Sequence, residues 1–161
     1  MNQDPHPAAA PAARVRDARV EEAERVVQMV GRLAAHHGDT ASLTAQDLRR
    51  DAFGDSPWIH LLVAEVDGEL AGYAALCGQI QLQAGARGVD LHHLYVEPKF
   101  RGRRVGPALI EACKIRARAL SCRYLTVGTR PDNLAAQAFY LSLGFELRPS
   151  YPPRFRLSLE D

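Results

Sequence analysis

The segment Arg101-Gly102-Arg103-Arg104-Val105-Gly106-Pro107 separates an apolar, strand-like run from the pattern of a long amphipathic helix. Backbone N–H groups in a glycine-containing turn that opens a helix converge on one point, and the helix dipole adds partial positive charge there. The two glycines let the backbone approach an anion closely, and three arginines surround them. This Arg/Gly loop (101–107) is therefore predicted to bind phosphate. Loops rich in Arg and Gly are common, so the identity of the ligand has to be inferred from the flanking sequence.

Chain length and charge limit the classes of protein that the sequence can encode. With 161 residues, the chain is long enough for one domain with a substantial core. Its formal net charge of +1 gives no overall basic field, which argues against a nucleic-acid-binding protein. No apolar run reaches the length of a membrane span, and the N-terminus lacks a basic segment followed by an apolar one. We therefore expect a soluble cytoplasmic protein without a membrane or nucleic-acid partner.

The cysteines and histidines form no recognisable disulfide or metal pattern. Cys77, Cys113 and Cys122 are odd in number and include no Cys-x-x-Cys pair, so buried free thiols are expected. Neither His36-His37 nor His92-His93 has the helical spacing of metal ligands. No metal cofactor is predicted.

Hydrophobic periodicity and turn residues divide the chain into helices and strands. Residues 1–13 are mostly Pro, Ala and polar residues and are predicted to form a flexible leader, ahead of a single domain over 14–161. Before the Arg/Gly loop the predicted elements are a strand at 15–18, helices over 20–36 and from Thr44 to about Phe53, and strands at 60–66, 70–82 and 89–96. After it they are a helix over 105–120, a strand at 124–129, a helix over 133–143, and strands at 145–147 and 154–159. This order predicts an α/β (α+β) fold with a mixed, mostly antiparallel central sheet flanked by helices, and a β–α–β crossover around the loop.

Turn and cap residues mark several of these boundaries. Asp67-Gly68 is a strong signal for a β-hairpin. Thr44 with Asp47 three residues later indicates a helix N-cap. Gly38 and Gly144 are expected to end the helices that precede them.

Four segments follow one another in an order that is more informative than any of them alone. They are Leu91-His92-His93-Leu94-Tyr95-Val96, the Arg/Gly loop with its helix, Leu125-Thr126-Val127-Gly128-Thr129, and Asn133-x-x-Ala136-x-x-Phe139-Tyr140-x-x-Leu143-Gly144-Phe145. The arrangement resembles the GNAT superfamily of acyl-CoA-dependent N-acetyltransferases over residues 63–145. Arg101 and Gly106 match the family's Gln/Arg-x-x-Gly-x-Gly/Ala signature. The resemblance implies an N-acetyltransferase that uses acetyl-CoA and, as in many relatives, a homodimer.

The resemblance also implies how acetyl-CoA is held. The pantetheine arm would pair with backbone groups of Leu94 and Val96 as an added strand, where their strand diverges from the one through Val127. The diphosphate would lie on N–H groups of the Arg/Gly loop, although Pro107 cannot donate, and Asn133 would hold the cofactor near its sulfur. A backbone N–H of the same strand would stabilise the oxyanion of the thioester carbonyl. The implied cofactor-binding residues are Leu94, Tyr95, Val96, Arg101, Gly102, Arg103, Arg104, Val105, Gly106, Pro107, Asn133, Ala136 and Tyr140.

Tyr140 matches the family's general acid. A phenol near the sulfur protonates the leaving thiolate, a step that such catalysis accelerates by about 10²–10⁴. The other interpretation of a Phe-Tyr pair is that it packs a helix onto a core, and this interpretation suits Phe139 better. The resemblance therefore assigns Tyr140 a catalytic role.

A general base is needed because a protonated amine must lose a proton before it attacks. Many GNAT members use a glutamate on the strand before the loop, where this chain offers Asp90, His92 and His93. Because side chains alternate along a strand, His92 and His93 are expected on opposite faces. An imidazole with a pKa near about 6.5 suits a base at neutral pH, and each histidine is also compatible with an ordinary structural role. We take His92 as the leading candidate, with His93, Asp90 and water as alternatives.

Arg104 stands where the family usually has glycine. If this position has a positive φ, a non-glycine residue strains the backbone. A long side chain there would crowd the diphosphate or add a charge-assisted bond to it. Acyl-CoA binding is still expected.

The sequence leaves the acceptor amine open. Residues 51–57 and 62–65 are similar to a stretch of the spermidine/spermine acetyltransferase branch, which usually has Glu-Asp at the positions of His92-His93. A histidine pair does not supply the field that suits a polycation, so another primary amine of a small molecule or peptide is an equal candidate. Four acidic residues before the hairpin either line an amine-binding cleft or form a solvated helix face with its caps: Asp39, Asp47, Asp51 and Asp55.

Other functional classes fit the sequence less well. A nucleotide-binding P-loop is disfavoured because no Gly-Lys-Ser/Thr follows the glycines. The basic residues in and after the loop are balanced by acidic ones over the chain, which disfavours a nucleic-acid module. The stronger rival is a non-catalytic acyl-CoA-binding sensor or regulatory protein, because a fold does not guarantee activity.

Overall fold

Five strands form one sheet in the computed structural model, which describes residues 12–148 and 155–159. The strands are β1 (Arg14–Asp17), β2 (Ile59–Val66), β3 (Glu69–Gln81), β4 (Ala86–Val96) and β5 (Tyr124–Val127). Their order across the sheet follows their order in the chain. The first three pairings are antiparallel, and the β4–β5 pairing is parallel. The structure thus confirms the predicted α/β class and the mixed sheet.

The α-helices of the described residues are α1 (Ala23–His36), α2 (Ala45–Phe53), α3 (Val105–Ala119) and α4 (Leu134–Ser142). Thr44 caps α2 as predicted: the Thr44 hydroxyl accepts from the Asp47 N–H at 3.1 Å, and the Asp47 carboxylate accepts from the Thr44 N–H at 3.1 Å. Gly38 follows α1 with a φ of 72°, which is the left-handed conformation that ends helices. None of the helices in the described residues is long and apolar enough to cross a membrane.

The described residues divide into two compact units, separated between Gly128 and Thr129. The first unit contains the sheet with α1 to α3, and the second contains α4. The prediction of a single domain over 14–161 stays a prediction. The predicted leader lies outside the described residues, except for Ala12 and Ala13.

In the first unit, helices cover both faces of the sheet. One face packs against α1 and α2 through buried residues such as Val26, Met29 and Leu48, which contact Leu61 and Tyr73. Alternate strand residues are buried on the other face, where α3 contacts all five strands. This double cover explains why residues 61–64 of β2 and 70–77 of β3 form runs without charged side chains.

The β2–β3 hairpin forms at the predicted Asp67-Gly68 turn. Asp67 has a φ of 52° and Gly68 a φ of 79°, the conformation of a two-residue hairpin loop, and Val66 pairs with Glu69 across it. Farther along the same pair of strands, Gly72 lies so close to β4 that an added Cβ would be 2.3 Å from the Tyr95 carbonyl oxygen. Glycine at position 72 therefore allows β3 to pair closely with the C-terminal end of β4.

Three strand predictions need correction. Strand β4 begins at Ala86 rather than Val89, because a single 3₁₀ turn over Leu82–Ala84 and a left-handed Gly85 complete the reversal. Residues 145–147 and 155–159, predicted as strands, have irregular backbone, while Arg154 lies outside the described residues. A strand requires a partner for its N–H and C=O groups, and within the described part of the chain these segments pair with none.

Candidate active site

Strand β4 extends beyond its parallel partner. The β4–β5 pairing runs from Gly88–Tyr124 to Leu91–Val127, whereas β4 continues to Val96. Within the described residues, no strand pairs with 92–96 on the side away from β3. The predicted divergence of the two strands is therefore present and leaves an open edge on β4.

The backbone groups of Leu94 and Val96 face this open edge. The Glu97 N–H donates to the Ala71 carbonyl at 2.8 Å, so Glu97 and, two residues earlier, Tyr95 direct their backbone groups toward β3. Leu94 and Val96 have the opposite orientation, and the Val96 carbonyl accepts from Arg101 Nε at 3.1 Å. An extended ligand can pair with the edge at these two residues, because a carbonyl oxygen has a second lone pair.

Tyr95 lies apart from that edge. Its side chain is buried among the residues that pack against α1, and its hydroxyl donates to Glu97 Oε2 at 3.1 Å. The Tyr95 side chain is therefore part of the core, and its neighbours Leu94 and Val96 are the residues whose backbone groups could pair with a ligand.

The Arg/Gly loop joins the end of β4 to α3 through a turn with two left-handed residues. Gly102 has a φ of 75°, and Arg104, which directly precedes α3, has a φ of 61°. Within the described residues, the N–H groups of Gly102, Arg104, Val105 and Gly106 have no hydrogen-bond acceptor. A Cβ added at Gly102 would meet nothing within 4 Å. The loop therefore combines free donors at a helix N-terminus with open space, which suits an anionic group.

The three loop arginines differ in their contacts. Arg101 donates to the Val96 carbonyl, and Arg103 forms a 3.5 Å ion pair with Asp67. Arg104 is exposed, and in the described part of the chain it has no ion-pair partner. The arginine at the unusual position is therefore available to an anion.

A β-bulge places both histidines of β4 in the same pocket. In the β3–β4 pairing, Ala75 pairs with His93 and Leu76 with Leu91, so that His92 is the extra residue. The two imidazole rings stack with their centroids 4.6 Å apart and their planes 8° apart. The expectation that His92 and His93 face opposite sides is therefore wrong. Strict alternation holds only where every residue has a cross-strand partner.

His93 is held more firmly than His92. The Tyr73 hydroxyl and His93 Nδ1 are 3.1 Å apart, within hydrogen-bonding distance. Burial, followed by the neighbouring His92 and His37, lowers the pKa of His93 below its ordinary value of 6.5. His92 is exposed to solvent. His93 is therefore the histidine with a fixed ring and a preference for the neutral form.

The pocket that contains the histidines lies between the sheet, α1 and α2. Its volume is about 940 Å³, in the range of small-molecule sites. The lining includes the histidines, Tyr73, Trp58 and a majority of apolar side chains. This pocket lies entirely within the first unit and includes the bulge at the start of the open edge.

The acidic residues named from the sequence have different positions. Asp51 and Asp55 line the pocket, as the amine-cleft interpretation requires. Asp47 belongs to the cap of α2, and Asp39 accepts from the N–H of Thr40 at 2.8 Å. The structure therefore places two of the four acids at the pocket and the other two outside its lining. Asp90, an alternative base, instead accepts from the Thr126 hydroxyl of β5 at 2.8 Å.

Glu97 is a residue that the sequence reasoning did not select. It is only 4% exposed, at the junction of β4 and the loop. Its carboxylate binds Arg25 at 2.8 Å and Arg32, both on α1, and accepts from the Tyr95 hydroxyl. An acidic residue at the end of an apolar strand is the one signal that pointed to it. Glu97 fixes the end of β4 to α1.

The second unit contains Asn133 and Tyr140. The Asn133 side-chain oxygen accepts from the Ala136 N–H at 3.1 Å and so caps α4. The Tyr140 ring contacts Phe139 and Phe145 edge-on, with centroid distances of 5.3 and 5.4 Å. The motif residues of this unit therefore form a local cluster with a capped helix.

Comparisons with known proteins agree with this geometry. The chain matches the acetyltransferase (GNAT) family over residues 27–145. It is 27% identical over 140 residues to a thialysine N-epsilon-acetyltransferase of Bos taurus, covering 81% of this chain and 82% of that protein. It is also 27% identical over 138 residues to a putative [ribosomal protein bS18]-alanine N-acetyltransferase of Bacillus subtilis, covering 83% and 81% of the two chains. A crystal structure of a probable acetyltransferase shares the fold with a TM-score of 0.77 at 22% identity, covering 92% of this chain and 99% of the other.

An α/β fold with an open strand edge, followed by a glycine-containing turn at a helix N-terminus, is consistent with the class that the comparisons give. The chain belongs to the acetyltransferase (GNAT) family and is an N-acetyltransferase. Relatives named for amine substrates, thialysine and a ribosomal-protein alanine, place amine acetylation within the range of the family. Among the described residues, no group of three or more His, Cys, Asp or Glu side chains is arranged to hold a metal ion.

Proposed function

We propose that this enzyme transfers the acetyl group of acetyl-CoA to a primary amine of a small molecule or peptide by direct attack. The observation that supports it best is the continuity of the open β4 edge with the Arg/Gly loop. Backbone groups of Leu94 and Val96 face that edge, and the loop that follows has N–H donors without acceptors in the described chain. Acetyl-CoA has groups in the same order: an extended pantetheine arm that can pair with the strand edge, followed by a diphosphate that can bind the loop N–H groups.

Each part of the proposed site has one task. Leu94 and Val96 pair with the pantetheine arm as an added strand, and N–H groups of the loop hold the diphosphate. Acetyl-CoA supplies the activated acetyl group and a thiolate as leaving group. Tyr140, the family's general acid by resemblance, protonates that thiolate. Asn133 and Ala136 keep the cofactor contacts that the resemblance implies.

The proton of the amine goes to the histidine pair at the bulge. We favour His93 as the acceptor, because its hydrogen bond to Tyr73 fixes the ring and its lowered pKa keeps it neutral near pH 7. His92, the candidate named from the sequence, lines the same pocket and is the alternative. The two assignments predict different effects of substituting His92 and His93 one at a time.

A thiol-release assay tests the proposal. Purified protein is incubated with acetyl-CoA and a panel of small amines, polyamines and peptides with free N-termini, and free CoA thiol is measured. Thermal denaturation with and without acetyl-CoA reports binding separately. We expect stabilisation by acetyl-CoA and thiol release that depends on an amine. Absence of stabilisation would contradict acetyl-CoA as the donor, and stabilisation without release from any amine would contradict the amine acceptor.

The pH dependence of kcat/KM distinguishes the two histidines. A base must be neutral to accept a proton, so activity rises with pH through the pKa of the base. For His93 this rise lies below pH 6.5. In His93→Gln the acidic limb should disappear, with a loss of activity of about 10²-fold or more. In His92→Gln the acidic limb should persist but move to higher pH. His92 lowers the pKa of His93, and the substitution removes that effect. The reverse pattern would assign the role to His92.

Replacing Arg104 with glycine is expected to separate backbone strain from ligand binding. An L-residue in the left-handed region costs about 1–2 kcal/mol, of which the greater flexibility of glycine offsets about 0.5–1 kcal/mol. Arg104→Gly should therefore raise the free energy of unfolding by about 0.5–1 kcal/mol in urea titrations without ligand. Loss of a charge-assisted bond to the diphosphate should weaken acetyl-CoA binding about five- to tenfold by calorimetry.

Ser121→Gly is the matched control for Arg104→Gly. Ser121 has a φ of 58° and lies just beyond the other end of α3, two residues after Ala119. It should gain similar stability with no change in acetyl-CoA affinity. Unchanged affinity in Arg104→Gly would show that the arginine side chain does not contact the cofactor.

A further inference from the structure

We propose that the pocket between α1, α2 and the sheet selects a monoamine with an apolar, aliphatic or aromatic body, and that it discriminates against polyamines. This inference rests on the proposed function, because it identifies the acceptor of the same site. It depends on three properties of the pocket: its apolar wall, its charge balance and its exposed tryptophan.

The wall of the pocket is apolar over most of its extent. Side chains from α1, α2, β2 and the loop before α2 contribute to it, namely Val26, Val30, Leu43, Leu48, Ile59 and Leu61. Each CH₂ group that a ligand buries against such a wall leaves contact with water, which favours binding. A cationic nitrogen placed there would lose its hydration without a partner. The wall therefore favours a hydrocarbon body over a second or third ammonium group.

The charges of the pocket match one cation. Asp51 is neutralised by Arg50, whose Nε and second terminal nitrogen each lie 2.8 Å from a different carboxylate oxygen. Asp55 is exposed, and within the described residues it has no ion-pair partner. Apart from the two histidines, the lining carries one positive and two negative side chains. A single ammonium balances this charge, whereas a polyamine brings two or more charges that the lining cannot pair.

Trp58 gives the pocket a large apolar surface that is open to a ligand. Its side chain is 82% exposed although it lines the pocket, and its backbone N–H is bonded to the Asp51 carbonyl at 2.8 Å. An exposed indole face can contact flat or aliphatic groups and attract a nearby cation. The body of an apolar amine would cover this surface.

Two measurements test the inference. The first compares kcat/KM in the thiol-release assay for n-hexylamine and 2-phenylethylamine with ethanolamine and spermidine. We expect the two apolar amines to exceed the other two by about 10- to 100-fold, as a few methylene contacts allow. The second follows the fluorescence of Trp58, the single tryptophan of the chain, during titration with each amine. We expect saturable changes with the apolar amines at lower concentrations than with spermidine.

Variants locate the effect in the pocket. Trp58→Ala should raise the KM for 2-phenylethylamine about tenfold or more and leave acetyl-CoA affinity unchanged. Ile115→Ala is the control, because Ile115 is 60% exposed on α3 and does not line the pocket. Asp55→Asn should raise the KM for both apolar amines and reduce its dependence on salt.

The outcomes separate the inference from the proposed function. Turnover with spermidine at least as efficient as n-hexylamine would overturn the inference and leave amine acetylation standing. Turnover that Trp58→Ala does not alter would also overturn it. Saturable fluorescence changes without thiol release would contradict the proposed function while supporting the ligand class. Neither binding nor turnover would overturn both.

Discussion

Tyr140→Phe is expected to lower kcat by about 10²–10⁴ and to change acetyl-CoA affinity by less than about twofold. The substitution removes only the phenolic oxygen. The ring that contacts Phe139 and Phe145 remains, so the local cluster of the second unit should persist. Without the phenol, the thiolate leaves unprotonated or takes its proton from water, which raises the barrier of that step. Thiol-release kinetics at saturating substrates measures kcat, and calorimetry measures the affinity.

Tyr124→Phe is the matched control for this substitution. Tyr124 lies at the start of β5, and its ring packs against Gly88. Loss of its hydroxyl should leave kcat within about twofold, since nothing places it in the chemistry. If Tyr140→Phe behaves like this control, Tyr140 is not the general acid. An acetyl thioester whose leaving thiolate is more basic than that of CoA should increase the effect of Tyr140→Phe, because its departure depends more on protonation.

Glu97→Ala is expected to lower the free energy of unfolding by about 3 kcal/mol. The carboxylate is almost fully buried and binds Arg25, Arg32 and the Tyr95 hydroxyl. Its removal leaves two cations and a buried hydroxyl without their acceptor. The expected value is at the low end for a buried pair, because the arginine side chains are 34% and 51% exposed and water can reach them. Urea denaturation followed by circular dichroism measures the change.

Glu69→Ala is the control for Glu97→Ala. Glu69 pairs with Lys99 on the surface, with both side chains 60% exposed. Exposed pairs contribute about 0–1 kcal/mol, so this variant should be nearly as stable as the parent. Equal destabilisation by the two substitutions would show that the Glu97 cluster contributes no more than a surface ion pair.

Local sequence signals predicted most of the fold correctly. Asp67-Gly68 and the Thr44–Asp47 cap act within a few residues, and both form as expected. Their conformations depend on short-range sterics and hydrogen bonds, which the sequence specifies directly. The predicted strands at 145–147 and 155–159 were wrong, because a strand also needs a partner that its own residues do not specify.

The candidate site required more than local signals. Because the family usually has glycine at position 104, a positive φ could be considered there from the sequence. The structure shows that Arg104 does have one. The shared pocket of His92 and His93 was not anticipated, because the bulge arises from the register between β3 and β4. The role of Glu97 was missed for a similar reason: its partners lie 65 and 72 residues away on α1.

The sequence by itself determined the order of the strands and α-helices from β1 to α4, the glycine-containing turn before α3 and the family to which the chain belongs. These depend on periodicity, glycine placement and motif spacing, all of which are linear properties. Tertiary structure alone decided that both histidines of β4 share one pocket, which histidine ring is fixed and which carboxylates line that pocket. Those features result from strand register and from contacts between residues far apart in the chain, where a shift of one residue changes which side chains meet.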